Sequence, residues 1–327
     1  MVKKYRNYDI TLVVTHRCNA RCIMCNSYKQ SSCKQDEISL ADIMKLPCSK
    51  FIQITGGEPF VREDIEEIVK ILLPKTKRLM INTNGYYTDK IVDLCKKYPD
   101  LVIRVSIDGN RETHNRIRQI DIYDRAIDTL KQLKALGIPD LGISFTLQES
   151  NYDQMIDMYK YALELGVDFG VSVIHNSYYF NKSDNVINDT TPLKAELKKL
   201  VNIQLMSNRK KDWARAYFND MSINYIDRMA MPVKCDAGRS SFTIECNGNV
   251  LPCNMTPTEW VMGNLKRNTW DEIIKSDSSN EIMEKCRNCK LNCWSVCNVQ
   301  SALKKKIWVP GVWFMTHFFA ARFRANK

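Results

Sequence analysis

The sequence predicts an α/β protein: a parallel sheet flanked by helices, followed by a smaller cysteine-rich unit built on a β-hairpin. Three observations carry this. Apolar strand-like runs alternate with amphipathic helix-like stretches through residues 8–174, giving six βα repeats. Further on, an Asn247-Gly248 turn separates two short apolar runs, which is a strong hairpin signal. Most of the thirteen cysteines fall in groups at metal-ligand spacing, unlike the scatter of a disulfide framework. Periodicity alone does not separate a curved sheet from a flat, doubly wound one.

The strand-like runs are Tyr8–Val14, Phe51–Thr55, Arg78–Thr83, Leu101–Ile107, Leu141–Thr146 and Phe169–Ile174. Between them, Glu63–Leu73, Tyr123–Leu136 and Tyr152–Leu165 place apolar residues at three- and four-residue spacing. In parallel α/β folds chemistry collects at the C-terminal ends of the strands. The first run ends in Val14-Thr-His-Arg-Cys-Asn-Ala-Arg-Cys-Ile-Met-Cys-Asn26. Three thiolates at Cys18, Cys22 and Cys25 can hold an iron–sulfur cubane. A cubane normally takes four, so one iron is left open to a small molecule. Zinc short of a fourth ligand, or a disulfide, competes with that reading. The second run ends in Thr55-Gly-Gly-Glu-Pro-Phe60. There two glycines let backbone approach a ligand and Glu58 can accept from an ammonium; a plain tight turn is the alternative.

The third run ends in Ile81-Asn-Thr-Asn-Gly85. The fourth reads Val105-Ser-Ile-Asp-Gly-Asn110, followed by Glu112, His114, Asn115, Arg116 and Arg118. His114 and His175 are acid–base candidates, weighed against solvated loop histidines. Ser144 and Thr146 face either core or ligand. Residues 176–191 are polar and turn-rich, a linker or an active-site loop. Thr191-Pro192 reads as a helix start with Thr191 as N-cap. Cys235 and Cys253 bracket the hairpin Phe242–Glu245/Asn249–Leu251, and Cys286, Cys289, Cys293 and Cys297 follow. Zinc and iron–sulfur both suit these donors. Cys33, Cys48, Cys95 and Cys246 read as ordinary thiols.

The chain has 327 residues, 44% of them hydrophobic, and a formal charge of +11. That length and composition fill one large domain or a large and a small one. The basic balance suits an anionic small molecule, a membrane surface or nucleic acid. No zinc-finger, RNP or helix-turn-helix signature supports nucleic acid. The start, Met1-Val-Lys-Lys-Tyr-Arg6, lacks the apolar core of a signal peptide, no stretch is apolar enough to span a bilayer, and the cysteine usage fits the reducing cytoplasm. Lys304–Lys327 is aromatic, basic and free of acidic residues, with Pro310-Gly311 expected to break it. It suits a membrane interface or a lipid-linked substrate, or packing against the core or a partner.

The cysteine spacing followed by Gly56-Gly57-Glu58-Pro59 resembles the radical S-adenosylmethionine (radical SAM) superfamily. The Gly248-Asn-Val-Leu-Pro-Cys253 hairpin with Met262-Gly-Asn-Leu265 and Trp270 resembles its SPASM and twitch auxiliary-cluster domains. The resemblance implies a partial (β/α)6 barrel open on one side. It implies a [4Fe–4S] cluster on Cys18, Cys22 and Cys25, whose open iron binds SAM and whose reduced form releases a 5′-deoxyadenosyl radical. Gly56, Gly57 and Glu58 would line the cofactor. Ser106 and Asp108 would hold its carboxylate and ribose, with Thr83 and Asn84 as further candidates. Arg125 would clamp the carboxylate, unless it is a solvated helix charge. At least one auxiliary [4Fe–4S] cluster would use Cys235, Cys253 and two of Cys286, Cys289, Cys293 and Cys297. Full SPASM domains use seven cysteines and a longer gap than that between Cys289 and Cys293, which favours one auxiliary cluster.

The resemblance further implies a core over residues 1–190, connecting helices over 191–234, an auxiliary domain over 235–303 and a tail over 304–327. The expected function is oxidation of a small carbohydrate-like, aminocyclitol or lipid- or nucleotide-linked sugar. An external one-electron reductant of flavodoxin or ferredoxin type would drive it. Only a few residues precede the first strand, whereas peptide-modifying relatives often carry a precursor-recognition domain there. The alternatives are a peptide-modifying maturase, an epimerase or a C–O-removing enzyme. In another class stands a non-catalytic iron–sulfur or zinc module.

Overall fold

The computed structural model describes residues 4–325, with side chains described through residue 318. Met1–Lys3 of the basic start and Asn326 and Lys327 of the tail lie outside the described residues. The first half runs β1 (Arg6–Val13), α1 (Leu40–Ile43), β2 (Ser49–Thr55), α2 (Ile65–Leu72), β3 (Leu79–Thr83), α3 (Thr88–Lys97) and β4 (Val102–Ser106). It continues through α4 (Arg111–Arg118), α5 (Tyr123–Ala135), β5 (Leu141–Leu147), α6 (Met155–Glu164) and β6 (Asp168–Val173). Then come α7 (Thr190–Met206), α8 (Lys210–Ile226), β7 (Ser241–Ile244), β8 (Asn249–Leu251) and β9 (Gly263–Asn264). The chain closes with α9 (Trp270–Lys275), α10 (Asp277–Arg287), α11 (Val296–Lys305) and α12 (Trp308–Ala325).

Nine strands form one sheet in the order β6-β5-β4-β3-β2-β1-β7-β8-β9. β1 to β6 are all parallel, so each crossover lays a helix on the outside. The six expected βα repeats are therefore present, and β6 and β9 leave the barrel open. The hairpin does not stand apart, as a separate small domain would. β7 pairs parallel with β1, from Asp9 opposite Ser241 to Leu12 opposite Ile244, while β8 and β9 add antiparallel. The pairing has an apolar cause. Phe242 meets Tyr8 and Trp270 edge-on, each at 5.1 Å, and Ile10, Leu12, Phe242, Ile244 and Trp270 share one core cluster. Each fully buried side chain of this size contributes about 1.5–3 kcal/mol, so the seam is held by more than backbone hydrogen bonds.

The N-terminal ends of β4 to β6 are closed by ion pairs. Arg78 and Arg104 reach Asp140 at 2.9 and 2.6 Å, and Arg209, Lys211 and Arg215 reach the buried Asp168 at 2.8, 3.0 and 3.1 Å. At the other end, residues 176–191 fold back over the cysteine loop. Phe180 O accepts from Asn26 N (2.8 Å) and Asn185 Nδ2 donates to Met24 O (3.1 Å). Of the two readings, linker or active-site loop, this contact favours the loop.

Two local expectations are corrected. The N-cap of α7 is Asp189, whose side chain accepts from Thr191 N at 2.9 Å; Thr191 lies inside the first turn. Pro310-Gly311 does not break the tail, because Pro310 falls in the first turn of α12, where its missing N–H is tolerated. One face of α12 packs on α7 and α8. Trp313 donates to Asp220 at 2.8 Å and meets the Tyr217 ring at 5.4 Å, and Phe314 stacks on Trp213 at 4.9 Å. Trp308, Val312 and Met315 stay exposed on its other side.

Candidate active site

The site is assembled at the C-terminal strand ends, where β1 runs into the cysteine loop. A buried carboxylate organises the root of that loop. Glu37 accepts from Arg17 Nε and Nη2, both at 2.9 Å, from Ser32 Oγ at 2.6 Å and from Thr15 Oγ1. Burial pushes the Glu37 carboxyl up, but these donors outweigh it and hold it below the ordinary range. Arg62 Nη1 donates to Val14 O at 3.0 Å and Ile38 O at 3.1 Å, which locks the strand exit. Further along, Arg21 N and Ile23 N donate to the carbonyls of Arg118 and Ile117 at the end of α4 (3.2 and 2.9 Å).

Cys18, Cys22 and Cys25 all line one cavity of about 260 Å³. N–H groups are aimed at the sulfurs: Ala20 N at Cys18 Sγ (3.4 Å), Ser27 N at Cys25 Sγ (3.5 Å) and Arg118 Nη1 at Cys22 Sγ (3.9 Å). Burial lifts the Cys18 thiol to about 12 and raises Cys22. Loading a metal group here would therefore release protons.

The Gly-Gly-Glu-Pro turn packs directly on this loop. Gly57 N donates to Thr15 O (2.8 Å) and Glu58 N to Arg17 O (2.9 Å). A Cβ on Gly57 would stand 2.3 Å from Arg17 O, and one on Gly56 2.5 Å from Thr15 O. The glycines are thus required by the loop they touch, whatever binds above them. The Glu58 carboxylate turns to β3, accepting from Asn84 N (2.7 Å), Thr83 Oγ1 (2.8 Å) and Phe60 N (3.2 Å). Full burial nevertheless lifts it to about 7.

The sequence-predicted cofactor residues divide. Gly56, Gly57, Glu58, Asn84 and Ser106 line the cavity, as do Thr83, Ser144 and Thr146. Asp108 does not; it is fully buried behind the wall, where it holds Arg118 Nε at 2.6 Å and accepts from Thr146 N at 2.8 Å. Arg125 lies on the exposed face of α5 with its guanidinium 4.5 Å from the Tyr86 ring centre. The arginine that does enter the cavity is Arg118, one helix earlier. His114 is also buried and structural, its Nδ1 accepting from Asp108 N at 3.0 Å. His175 lines the cavity, with Nδ1 on Val173 O (3.0 Å) and Nε2 unpartnered. Burial lowers its pKa and keeps the ring neutral.

Gln53, Asn82, Tyr179, Asn254 and Ser295 also line the wall and were not singled out from the sequence. Gln53 and Asn82 sit on strands ending at the site. Asn254 and Ser295 follow cysteines, and only the folding of the second half onto β1 brings them in. Tyr179 OH donates to Gly56 O at 2.7 Å, closing the cavity from the folded-back loop.

Of the six later cysteines expected as ligands, five form a second group. Burial lifts Cys253 to about 11 and Cys286 and Cys293 to about 12, with further push from the neighbouring sulfurs of Cys235 and Cys289. Gly238 N ties the Cys235 loop to Pro252 O at 3.2 Å, next to Cys253. Cys297 stands apart from this group and lines the central cavity. Both cysteine groups fit something larger than one ion. Tetrahedral zinc, with Zn–S bonds of about 2.3 Å, holds its sulfurs roughly 4 Å apart. Among the described residues, neither group brings three sulfurs within 4.8 Å of one another. A set of thiolate donors at wider spacing suits iron–sulfur clusters.

An open parallel barrel with a three-cysteine loop at its mouth and a second cysteine group beside it defines a class of cluster-dependent enzyme. Residues 12–162 match the radical SAM superfamily model and residues 235–297 match the SPASM iron–sulfur cluster-binding domain model. The chain is a radical SAM enzyme with a C-terminal SPASM domain, and its cofactors are SAM, a radical SAM [4Fe–4S] cluster and SPASM auxiliary iron–sulfur. It is 24% identical over 259 residues to a probable GTP 3′,8-cyclase of Sulfurisphaera tokodaii, covering 75% of this chain and 80% of that protein. It is 27% identical over 278 residues to the subtilosin biosynthesis protein AlbA of Bacillus subtilis, covering 81% of this chain and 59% of AlbA. Its fold is similar to that of anSMEcpe with bound AdoMet and peptide (17% identity, TM-score 0.64, 87% of each chain). It also resembles Streptococcus suis SuiB bound to its precursor peptide SuiA (14% identity, TM-score 0.62, 83% of this chain and 65% of that one).

Proposed function

We propose that this enzyme modifies a peptide substrate by radical chemistry. Cys18, Cys22 and Cys25 would hold the SAM-binding cluster, and four of the five grouped later cysteines an auxiliary one. When bound, SAM and its cluster supply, for one electron, a radical able to take a hydrogen atom from an unactivated C–H bond. The protein's share is to position and to exclude water. The backbone of Gly56 and Gly57, with Asn84 and Ser106, forms the cofactor side of the cavity, and Tyr179 and Phe180 cover it.

One observation narrows the substrate class. Among the described residues, Arg118 is the only lysine or arginine on the cavity wall, and Asp108 already neutralises it. A nucleoside triphosphate would find no free countercharge there, which weighs against the reaction named for the cyclase relative. The wall instead offers unpartnered acceptors at Asn82 Oδ1, Asn254 Oδ1 and His175 Nε2. These call for hydrogen-bond donors such as amide N–H groups. Sugar hydroxyls would also serve, so the carbohydrate expectation and the peptide alternative share this feature. The relatives favour the peptide: AlbA is named for bacteriocin biosynthesis, and SuiB and anSMEcpe are described with peptides bound.

The test is anaerobic reconstitution followed by dithionite-driven release of 5′-deoxyadenosine from SAM. Release is compared with a synthetic peptide library, an aminocyclitol and sugar panel, or GTP added. Faster release and a peptide mass change with peptides alone is the expected result. Stimulation by sugars alone would return the carbohydrate reading.

A further inference from the structure

Outside both cysteine groups, one further set of metal-type donors converges. β1 and β7 run parallel, with Leu12 opposite Ile244, so the residues that leave these two strands leave side by side. His16 follows β1, and Glu245 and Cys246 follow β7. The backbone of each arm is pinned. His16 N donates to Ser32 Oγ at 2.9 Å, Ile38 N donates to Cys246 O, and Gly248 N closes the Asn247-Gly248 turn on Glu245 O at 2.8 Å. One donor atom from each of His16, Glu245 and Cys246 lies within 4.8 Å of the other two. Among the described residues, no other group of three histidine, cysteine or acidic side chains comes so close.

An ordinary ion pair explains only part of this. His16 Nε2 meets Glu245 Oε2 at 3.0 Å, but His16 Nδ1 is buried with no hydrogen-bond partner, and such an atom calls for a reason. The Cys246 thiol, 6% exposed, comes to the same imidazole. We propose that His16, Glu245 and Cys246 bind one zinc-class divalent cation, which clamps the root of the Cys18 loop to the tip of the hairpin. Zinc accepts a mixed set of nitrogen, oxygen and thiolate sulfur, and the thiolate disfavours magnesium and calcium. With bonds of about 2.0–2.3 Å, a tetrahedral ion holds such donors roughly 3.5 Å apart, which small side-chain rotations reach. Cys246 gives its proton to solvent on binding. The carboxylate and the thiolate then balance the charge of the ion, so the filled site is neutral, as a mostly buried site requires. Water takes the fourth position. The side chains of His16 and Glu245 remain 16% and 12% exposed, which gives the ion a way in. The proposal stands independently of the substrate class.

The experiment uses the full chain with its clusters reconstituted anaerobically, so that the cluster cysteines are occupied, then incubated with zinc sulfate and desalted. Zinc and iron per chain are measured for wild type, His16→Gln, Glu245→Gln and Cys246→Ser. Wild type should hold about one zinc beside its full iron. Each variant should keep the wild-type iron and bind zinc more than about tenfold more weakly, the least that even an outer-sphere change commonly costs. Zinc-edge X-ray absorption of the wild type gives a readout that does not depend on how the variants fold. It should show one sulfur at about 2.3 Å with nitrogen and oxygen neighbours at about 2.0–2.2 Å. Three or four sulfurs around the zinc would place the ion on a cluster group and overturn the proposal. Iron-loaded wild type that holds no zinc would also overturn it, as would unchanged zinc binding in all three variants.

Discussion

At the scale of single residues, the cavity wall is governed by who pairs with whom behind it. Asp108 and His114 sit out of ligand reach, yet they fix Arg118 and the end of β4. His114 is held neutral because burial, and then the Arg118 charge, push its pKa down to about 4 from an ordinary 6.5. The folded state therefore binds fewer protons than the unfolded state between those values. Stability from this group is complete above pH 6.5 and is lost as pH falls through about 4, a swing of about 3 kcal/mol. Urea unfolding from pH 7 to 4.5 should show that slope in wild type. His114→Asn can still accept from Asp108 N but cannot titrate, so its slope should be flatter, whatever its absolute stability. Equal slopes would reassign the pH dependence to other groups.

At the scale of elements, the β2 turn and the cysteine loop form one unit. Gly57 shows why, since a methyl there meets the Arg17 carbonyl carbon at 2.7 Å and His16 O at 2.8 Å, both backbone. Neither can step aside without moving the loop that carries Cys18. Gly57→Ala should lose about 1–3 kcal/mol by denaturant midpoint, and the reconstituted variant should hold less iron than wild type. Full stability with full iron would show that the loop adapts. The tail makes the complementary point. Its aromatic run was legible as interfacial or packed, and α8 decides for one face of it by supplying Trp213, Tyr217 and Asp220.

At the scale of the molecule, the SPASM half completes the barrel. β1 has β2 on one side and β7 on the other, and Tyr8, Ile10 and Leu12 are buried partly by Phe242 and Trp270. A chain ended after Pro232 would leave β1 as an exposed apolar edge, the kind of strand that pairs between molecules. It should aggregate on size-exclusion chromatography, and Phe242→Asp in the full chain should reproduce part of that loss. A monomeric, cooperatively folding truncation would show that the core is self-sufficient.

The sequence by itself determined what short-range geometry determines. Three sulfurs within eight residues, a Gly-Gly turn after a strand, six βα repeats and an Asn-Gly hairpin are set by neighbours a few residues apart, and all were legible. The tertiary structure alone decided that Arg118 and not Arg125 enters the cavity. Two arginines seven residues apart differ in which helix face and which neighbour they meet, and the run of letters does not encode that phase. It also decided that Asp108 stands behind the wall and that Cys297 leaves its spacing group for the cavity. Asp108 is placed by Arg118 and Thr146 within the first half, whereas the placing of Cys297 depends on β7 docking against β1 from the far end of the chain, a choice made by burying Phe242 and Ile244 on the same core as Ile10 and Leu12.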